Sequence, residues 1–185
     1  MYMEQAQVEN LLGAMSLALA GAQEEAARKA AGLGPSGAAA LVVIGFYPGT
    51  SIGTLAGILG LTHSVVVRLV EGLAADGLVE RAAAPSDRRQ VVLRLSAAGR
   101  ARHAAILEAR RAALAQALAP LDAQDVAQFG AMLATLLTGL TTGRLQADHM
   151  CRLCDENACP GERCPVECEA VRISGIGSPL RAPAP

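Results

Sequence analysis

Across residues 54–99 the apolar pattern switches from helical to strand spacing at clear punctuation points, and that order leaves few folds open. A short helical run at 54–59 carries Leu55, Ala56 and Leu59, and is closed by Gly60-Leu61-Thr62. Gly60 permits the tight turn. A second run, 63–75, places Val66, Leu69, Val70 and Leu73 on one face at helical spacing. Residues 78–83 and 91–95 then read as two strands around a charged loop at 85–90. Two short helices, a glycine turn and a hairpin in this order make a winged helix-turn-helix, whose second helix is the candidate reader of a DNA major groove.

With its apolar face inward, the second helix turns His63, Ser64, Val67, Arg68 and Glu71 outward, and Thr62 precedes its first turn. A polar first turn followed by Arg68 suits contacts to base edges and phosphates. On a lone helix Arg68 and Glu71 would simply be a solvated face; their place in the helix-turn-helix favours contact. In the loop, the adjacent guanidinium groups of Arg88 and Arg89 suit an electronegative minor groove. Asp87 is a poor partner for DNA and is expected to structure the wing through loop amides and a neighbouring arginine. Residues 61–100 hold six arginines against four carboxylates, so this unit is locally positive.

The whole chain of 185 residues carries a net charge of −1, which argues against a protein that coats nucleic acid without selection but leaves room for a local basic surface. Its 16 basic residues are all arginine except Lys29, a skew that a GC-rich coding sequence explains as simply as forked phosphate contacts. Apolar residues make up 52% and aromatics 2%, so the core must be closely packed Ala, Leu and Val. A mainly α fold with a small β wing is expected. The most apolar run, residues 38–47, is too short for a bilayer core of roughly 30 Å, and no basic leader with an apolar run opens the chain. No membrane segment is expected, and the cytoplasm is the expected compartment.

Around the winged unit lie long amphipathic stretches. Residues 3–31 repeat Val8, Leu11, Leu12, Met15 and Leu19 at helical spacing and stop at Gly32. A helix starting after Ser36 and running to about Phe46, apolar nearly all round, belongs in the middle of the domain. Pro48-Gly49 closes it, and Thr50 or Ser51 is placed to cap the next helix. After Ser96, a cap, residues 97–119 carry Ile106, Leu107, Leu114 and Leu118 on one side and Arg100, Arg102, Arg110 and Arg111 on the other. Pro120 ends that helix, and Asp122 caps a last one bearing Val126, Phe129, Met132, Leu133, Leu136, Leu137 and Leu140. These stripes exceed what a small monomer buries and are expected to pair two chains. The expected division is 1–50 supporting and dimerisation helices, 51–99 the winged unit, 100–145 further dimerisation helices, 146–170 a cysteine-rich segment, and 171–185 a flexible tail.

Residues 61–70 (LTHSVVVRLV), Gly77-Leu78-Val79-Glu80-Arg81, Asp87-Arg88-Arg89 and Leu95-Ser96-Ala97-Ala98-Gly99 together resemble the MarR family of bacterial transcription regulators. The wing Asp-x-Arg, followed at a set distance by Leu-Ser/Thr-x-x-Gly, carries the resemblance, which spans roughly residues 5–142. It implies a homodimer with recognition helices in successive major grooves of a palindromic double-stranded operator and wings in the minor groove. It also implies that a small phenolic effector could bind between the winged unit and the dimer helices. His63 departs from the smaller polar residues expected at its position, so the operator sequence does not carry over.

All five cysteines fall between residues 151 and 168, spaced C-x2-C-x4-C-x4-C-x3-C. Thiolates this close repel unless a cation or cluster holds them, and a reducing compartment favours ligation over disulfides. Cys151, Cys154, Cys159 and Cys164 are the expected ligands, with Cys168 or His149 as substitutes. Only one C-x2-C hook is present, where structural Zn2+ sites usually have two. Uneven spacing with Cys-Pro at 159 and 164 leans toward an iron–sulfur cluster. Free thiols and an oxidation switch are the other readings. Metal or redox control of a repressor is the leading expectation; a phenolic-responsive repressor with a structural zinc is the second. An enzyme is not expected, since no Ser-His-Asp set, catalytic carboxylate pair or phosphate-binding glycine loop is present.

Overall fold

The computed structural model describes residues 4–83 and 91–177. Helix α1 (Gln5–Ala31) ends where Gly32, at φ 67°, takes the left-handed conformation and its amide reaches Arg28 O. Helix α2 (Pro35–Phe46) begins with a proline in its first turn, two residues ahead of the expected start, and is buried without a break from Gly37 to Ile44. An all-apolar helix has to be central. It packs against helix α5 (Ala97–Leu118), strand β3 (Val91–Leu95) and helix α3 (Ile52–Leu59) around Leu41, Ile44, Leu55, Leu93 and Ile106, all essentially without solvent contact. Fully burying one such side chain contributes roughly 1.5–3 kcal/mol.

Two expectations are corrected at the start of the winged unit. Helix α3 begins at Ile52 rather than Thr54, because Ser51 Oγ accepts the Thr54 amide at 3.0 Å and caps it there. Thr50–Ser51 form a further short strand, β1, opposite Leu93 and Val92, so the sheet has three antiparallel strands in the order β1-β3-β2, with β2 at Val79–Ala83. Helix α4 (His63–Ala75) and strand β3 have the expected bounds.

Ser96 ties the hairpin to α5. Its amide donates to Leu78 O at 3.1 Å, its hydroxyl donates to Gly77 O at 2.6 Å, and Oγ accepts the Gly99 amide at 3.0 Å. A Cβ at Gly99 would lie 2.0 Å from Leu78 O, so the helix can start only where position 99 has no side chain. This physical constraint underlies the Leu-Ser-x-x-Gly run.

The long helices pack more polar surface than expected. Arg102 Nη1 donates to Ala31 O at 2.8 Å and Arg110 Nε to Gln23 Oε1 at 2.9 Å, so part of the arginine side of α5 faces α1 rather than solvent. Helix α6 (Ala123–Leu140), capped by Asp122 as expected, has no buried residue. Beyond it, helix α7 (Arg144–Met150), a 3-10 turn (Gly161–Arg163) and helix α8 (Pro165–Ser174) fold the cysteine-rich segment, and α8 continues past residue 170, into the stretch expected to be a flexible tail. Among the described residues no single helix is long and apolar enough to cross a membrane.

Candidate functional site

Helices α3 and α4 are bent 109° from one another, inside the range of about 90–120° for a helix-turn-helix. Gly60, at φ 66°, makes the turn: its amide and that of Leu61 take the Ala56 carbonyl, and Gly60 also reaches Gly57 O. Val66, Val70 and Leu73 are buried beneath α4. Thr62, His63, Ser64 and Arg68 are exposed on its outer side. Thr62 Oγ1 and Ser64 Oγ lie 3.3 Å apart, which ties the polar first turn together. Val67 is half-buried and packs against the core, whereas Val65 is exposed. The signal was present: Val67 sits three residues before Val70 and six before Leu73, on the flank of the buried stripe. Asp87, Arg88 and Arg89 lie outside the described residues.

The second constellation is the folded cysteine segment. Cys151 caps the end of α7, and Cys164 is the residue on which α8 begins. Cys151, Cys154, Cys159 and Cys164 line one cavity of about 240 Å3, roofed by Leu137, Met150 and Val166 with Arg110 at its edge. All four are free thiols, and they hydrogen-bond to one another. Cys151 donates to Cys154 and Cys164, which pushes its own thiol far up, and burial adds to that. The same bond holds Cys154 down at about 7 against burial, helped by Arg110. Cys164 is held at about 5, first by Cys151, then by the Glu167 amide, Cys159 and the Val166 amide. A thiolate at a helix N-terminus is where backbone amides favour negative charge.

Cys164 is 3% exposed, whereas Cys168 is exposed and directs its thiol to the carbonyls of Glu162, at 3.5 Å, and Gly161. The segment thus brings four cysteines together and leaves the fifth aside. As they stand, no group of three or more His, Cys, Asp or Glu side chains among the described residues is arranged to hold a metal ion. His149, the other substitute ligand, is turned away toward α3, where its Nδ1 bonds Ile58 O at 2.7 Å.

Charged contacts that sequence reading missed lock this segment to the body. Arg144 bridges Glu167 at 2.8 Å and Asp148 at 3.1 Å with all three side chains largely buried, so α7 and α8 are clasped together. Tyr47, just past the end of α2, donates to Glu156, and Asp155 lies near His103 of α5, whose imidazole is held below its ordinary range by burial. His103 stacks edge-on against Phe46 and fills the space beside Gly45. Arg144 and Asp148 stand four apart on one helix, a spacing the sequence does carry; the other pairs join residues far apart in the chain, and no short-range spacing announces them.

A sequence profile described as the MarR family matches residues 31–90. A probable transcriptional regulator from Pseudomonas aeruginosa is 30% identical, with 70% of this chain and 98% of that one aligned and a TM-score of 0.54. FabT from Streptococcus pneumoniae, solved in complex with DNA, shares the fold at 21% identity and a TM-score of 0.64, over 74% of this chain and 97% of its own. CouR from Rhodococcus jostii RHA1, solved bound to p-coumaroyl-CoA, is 26% identical over 70% of this chain and 90% of its own, with a TM-score of 0.54. No curated protein sequence matches the chain.

Proposed function

The chain belongs to the MarR family of transcription regulators, and from that premise we propose a homodimeric cytoplasmic repressor whose operator binding is controlled by a metal site of Cys151, Cys154, Cys159 and Cys164. Members of this family are DNA-binding regulators and not enzymes, so the cysteines are read as a sensor rather than a catalytic centre. One observation carries the reading: four cysteines of a single segment surround one cavity, on a scaffold clasped to the DNA-binding unit. The donor set is chemically apt, since Cys154 and Cys164 already favour the thiolate that a metal needs. A single Zn2+ sits about 2.3 Å from each sulfur and leaves little space between them. A cavity of about 240 Å3 therefore supports an iron–sulfur cluster ahead of Zn2+. Bound metal would supply either a structural clamp or, as a cluster, sensitivity to oxidants and electron donors. Loading would require the sulfurs to turn toward the cavity and Cys151 to release its proton.

Apolar exposure on α1 and α6 supports the dimer. Leu11, Leu12 and Leu17 of α1 and Met132, Leu136 and Leu140 of α6 are all exposed in the single chain. Changing Leu136 to Arg is expected to yield a folded monomer by sedimentation, with operator binding at least roughly tenfold weaker, because half-site spacing is lost. A dimer of unchanged mass and affinity would exclude α6 from the interface.

Thr62, His63, Ser64 and Arg68 are assigned to the major groove and the Arg88-Arg89 wing, ordered by Asp87, to the minor groove. Arg68→Ala is expected to weaken operator binding and, if the guanidinium meets phosphate, to lower the salt slope by about 1. A gel-shift series with neither change removes Arg68 from the interface. A phenolic effector, with the cysteines as a zinc staple, is the second reading. Against it, the space enclosed among α2, α3 and α7 is about 20 Å3, room for roughly one water, and the hollow between α1, α2 and Leu59 is about 120 Å3 with Arg152 and Leu153 of the tail in its wall.

A further inference from the structure

We infer that α7 is a strut from the cysteine site to the DNA-reading unit of the same chain, and that His149 is the positioning residue at its tip. This rests on the metal-site reading above. The last carbonyls of α3 are orphans by geometry and need partners. Those of Ala56 and Gly57 are met within the turn by Gly60 and Leu61, and that of Ile58 is met from outside by His149 Nδ1 at 2.7 Å. A carbonyl only accepts, so Nδ1 carries the proton and donates.

The imidazole also lies on the turn itself. A Cβ at Gly60 would be 3.2 Å from His149 Cε1, and one at Gly57 would be 3.1 Å from Leu145 Cδ1. Two side chains one turn apart on α7 therefore rest on two glycines of the α3 end, and Thr62, where α4 begins, follows two residues after Gly60. Larger residues at 57 and 60 would hold the helices apart.

The other end of the strut is the cysteine ring. The Cys151 amide donates to Ala147 O at 3.0 Å, so this cysteine continues the α7 backbone two residues after His149. Arg152 Nη1 closes back on His149 O at 2.6 Å, and the Arg144 clasp to Glu167 fixes α7 against α8, whose first residue follows Cys164. A metal held between Cys151 and Cys164 would replace the hydrogen bond between their thiols and reposition the end of α7, which alters how His149 and Leu145 bear on the turn. Metal loading then tilts the recognition helix directly, without first rearranging the dimer helices.

The test uses the full chain, with iron and zinc measured per chain and an operator duplex selected from a random pool, and compares His149→Leu, His149→Asn and Leu145→Ala. In the wild type, loaded and chelated protein should differ in operator affinity by fivefold or more. His149→Leu should keep its metal and dimer mass while that ratio falls toward one, and His149→Asn, which retains a donor at the Nδ1 position, should restore it. Leu145→Ala, a change at an exposed residue, should lower the ratio in part. Amide exchange at Gly60, Leu61 and Thr62 should quicken in His149→Leu even in metal-free protein. A His149→Leu chain that keeps metal and the full ratio overturns the strut, as does one that loses its metal, since His149 would then be a ligand. Unchanged amide exchange overturns it whatever the metal content. Absence of metal from the wild type alone, with exchange quickened as expected, overturns the sensor reading and leaves the strut supported.

Discussion

Gly99→Ala is expected to destabilise the protein by about 2–4 kcal/mol, although Ala is the better helix former. The propensity gain is about 1 kcal/mol. Against it, the new Cβ would sit 2.0 Å from Leu78 O and 3.0 Å from Leu78 C, both backbone atoms with no side chain to rotate away. Relief requires the start of α5 to lift off the hairpin, which breaks the bonds from Ser96 to Leu78 O and Gly77 O at about 1 kcal/mol each and opens the packing of Leu95 beneath them. Urea unfolding should show a lower midpoint at unchanged slope. Gly72 is the matched control: it lies within α4 with nothing near its missing Cβ, so Gly72→Ala should gain about 0.5–1 kcal/mol. Equal stability of Gly99→Ala and wild type would mean that the junction does not fix the wing.

Cys164→Ala is expected to remove metal almost completely, to below about a tenth of the wild-type content, and with it the difference in operator affinity between loaded and chelated protein. Cys164 receives bonds from Cys151 and Cys159, takes the amides of Glu167 and Val166 at the head of α8, and is 3% exposed. No other cysteine of the segment combines those roles. Cys168→Ala should leave metal content and operator control unchanged, because that thiol faces the Gly161 and Glu162 carbonyls outside the cavity. If Cys164→Ala keeps its full metal while Cys168→Ala loses it, the ligand set is wrong.

How much of this could be read from the sequence depends on how local the cause is. Helix α4 was legible to the residue because Val66, Val70 and Leu73 repeat within it and Gly60 precedes it. Strand β1 was not, since two residues, Thr50 and Ser51, leave no period and are strands only because β3 pairs with them. Val67 was placed outward by assigning the α4 face too broadly. The four-cysteine set was chosen from spacing; the four line one cavity, but among the described residues no group of three or more possible ligands is arranged to hold a metal ion. What spacing did not convey is the scaffold: α7 has seven residues and is held by Arg144 to Glu167 and by His149 to Ile58, contacts across the fold with no local trace. Arg102 and Arg110 were placed opposite the apolar stripe of α5, and their contacts were not legible for the same reason, as their partners lie on α1.

The most direct measurement is elemental analysis with a visible spectrum of the full chain purified without oxygen, followed by operator titration before and after chelation. The account predicts a cluster absorbance with about four iron atoms per chain, or failing iron about one zinc, and an operator affinity that changes fivefold or more when the metal is removed. A chain with neither iron nor zinc, or one whose operator affinity is the same loaded and stripped, would contradict it.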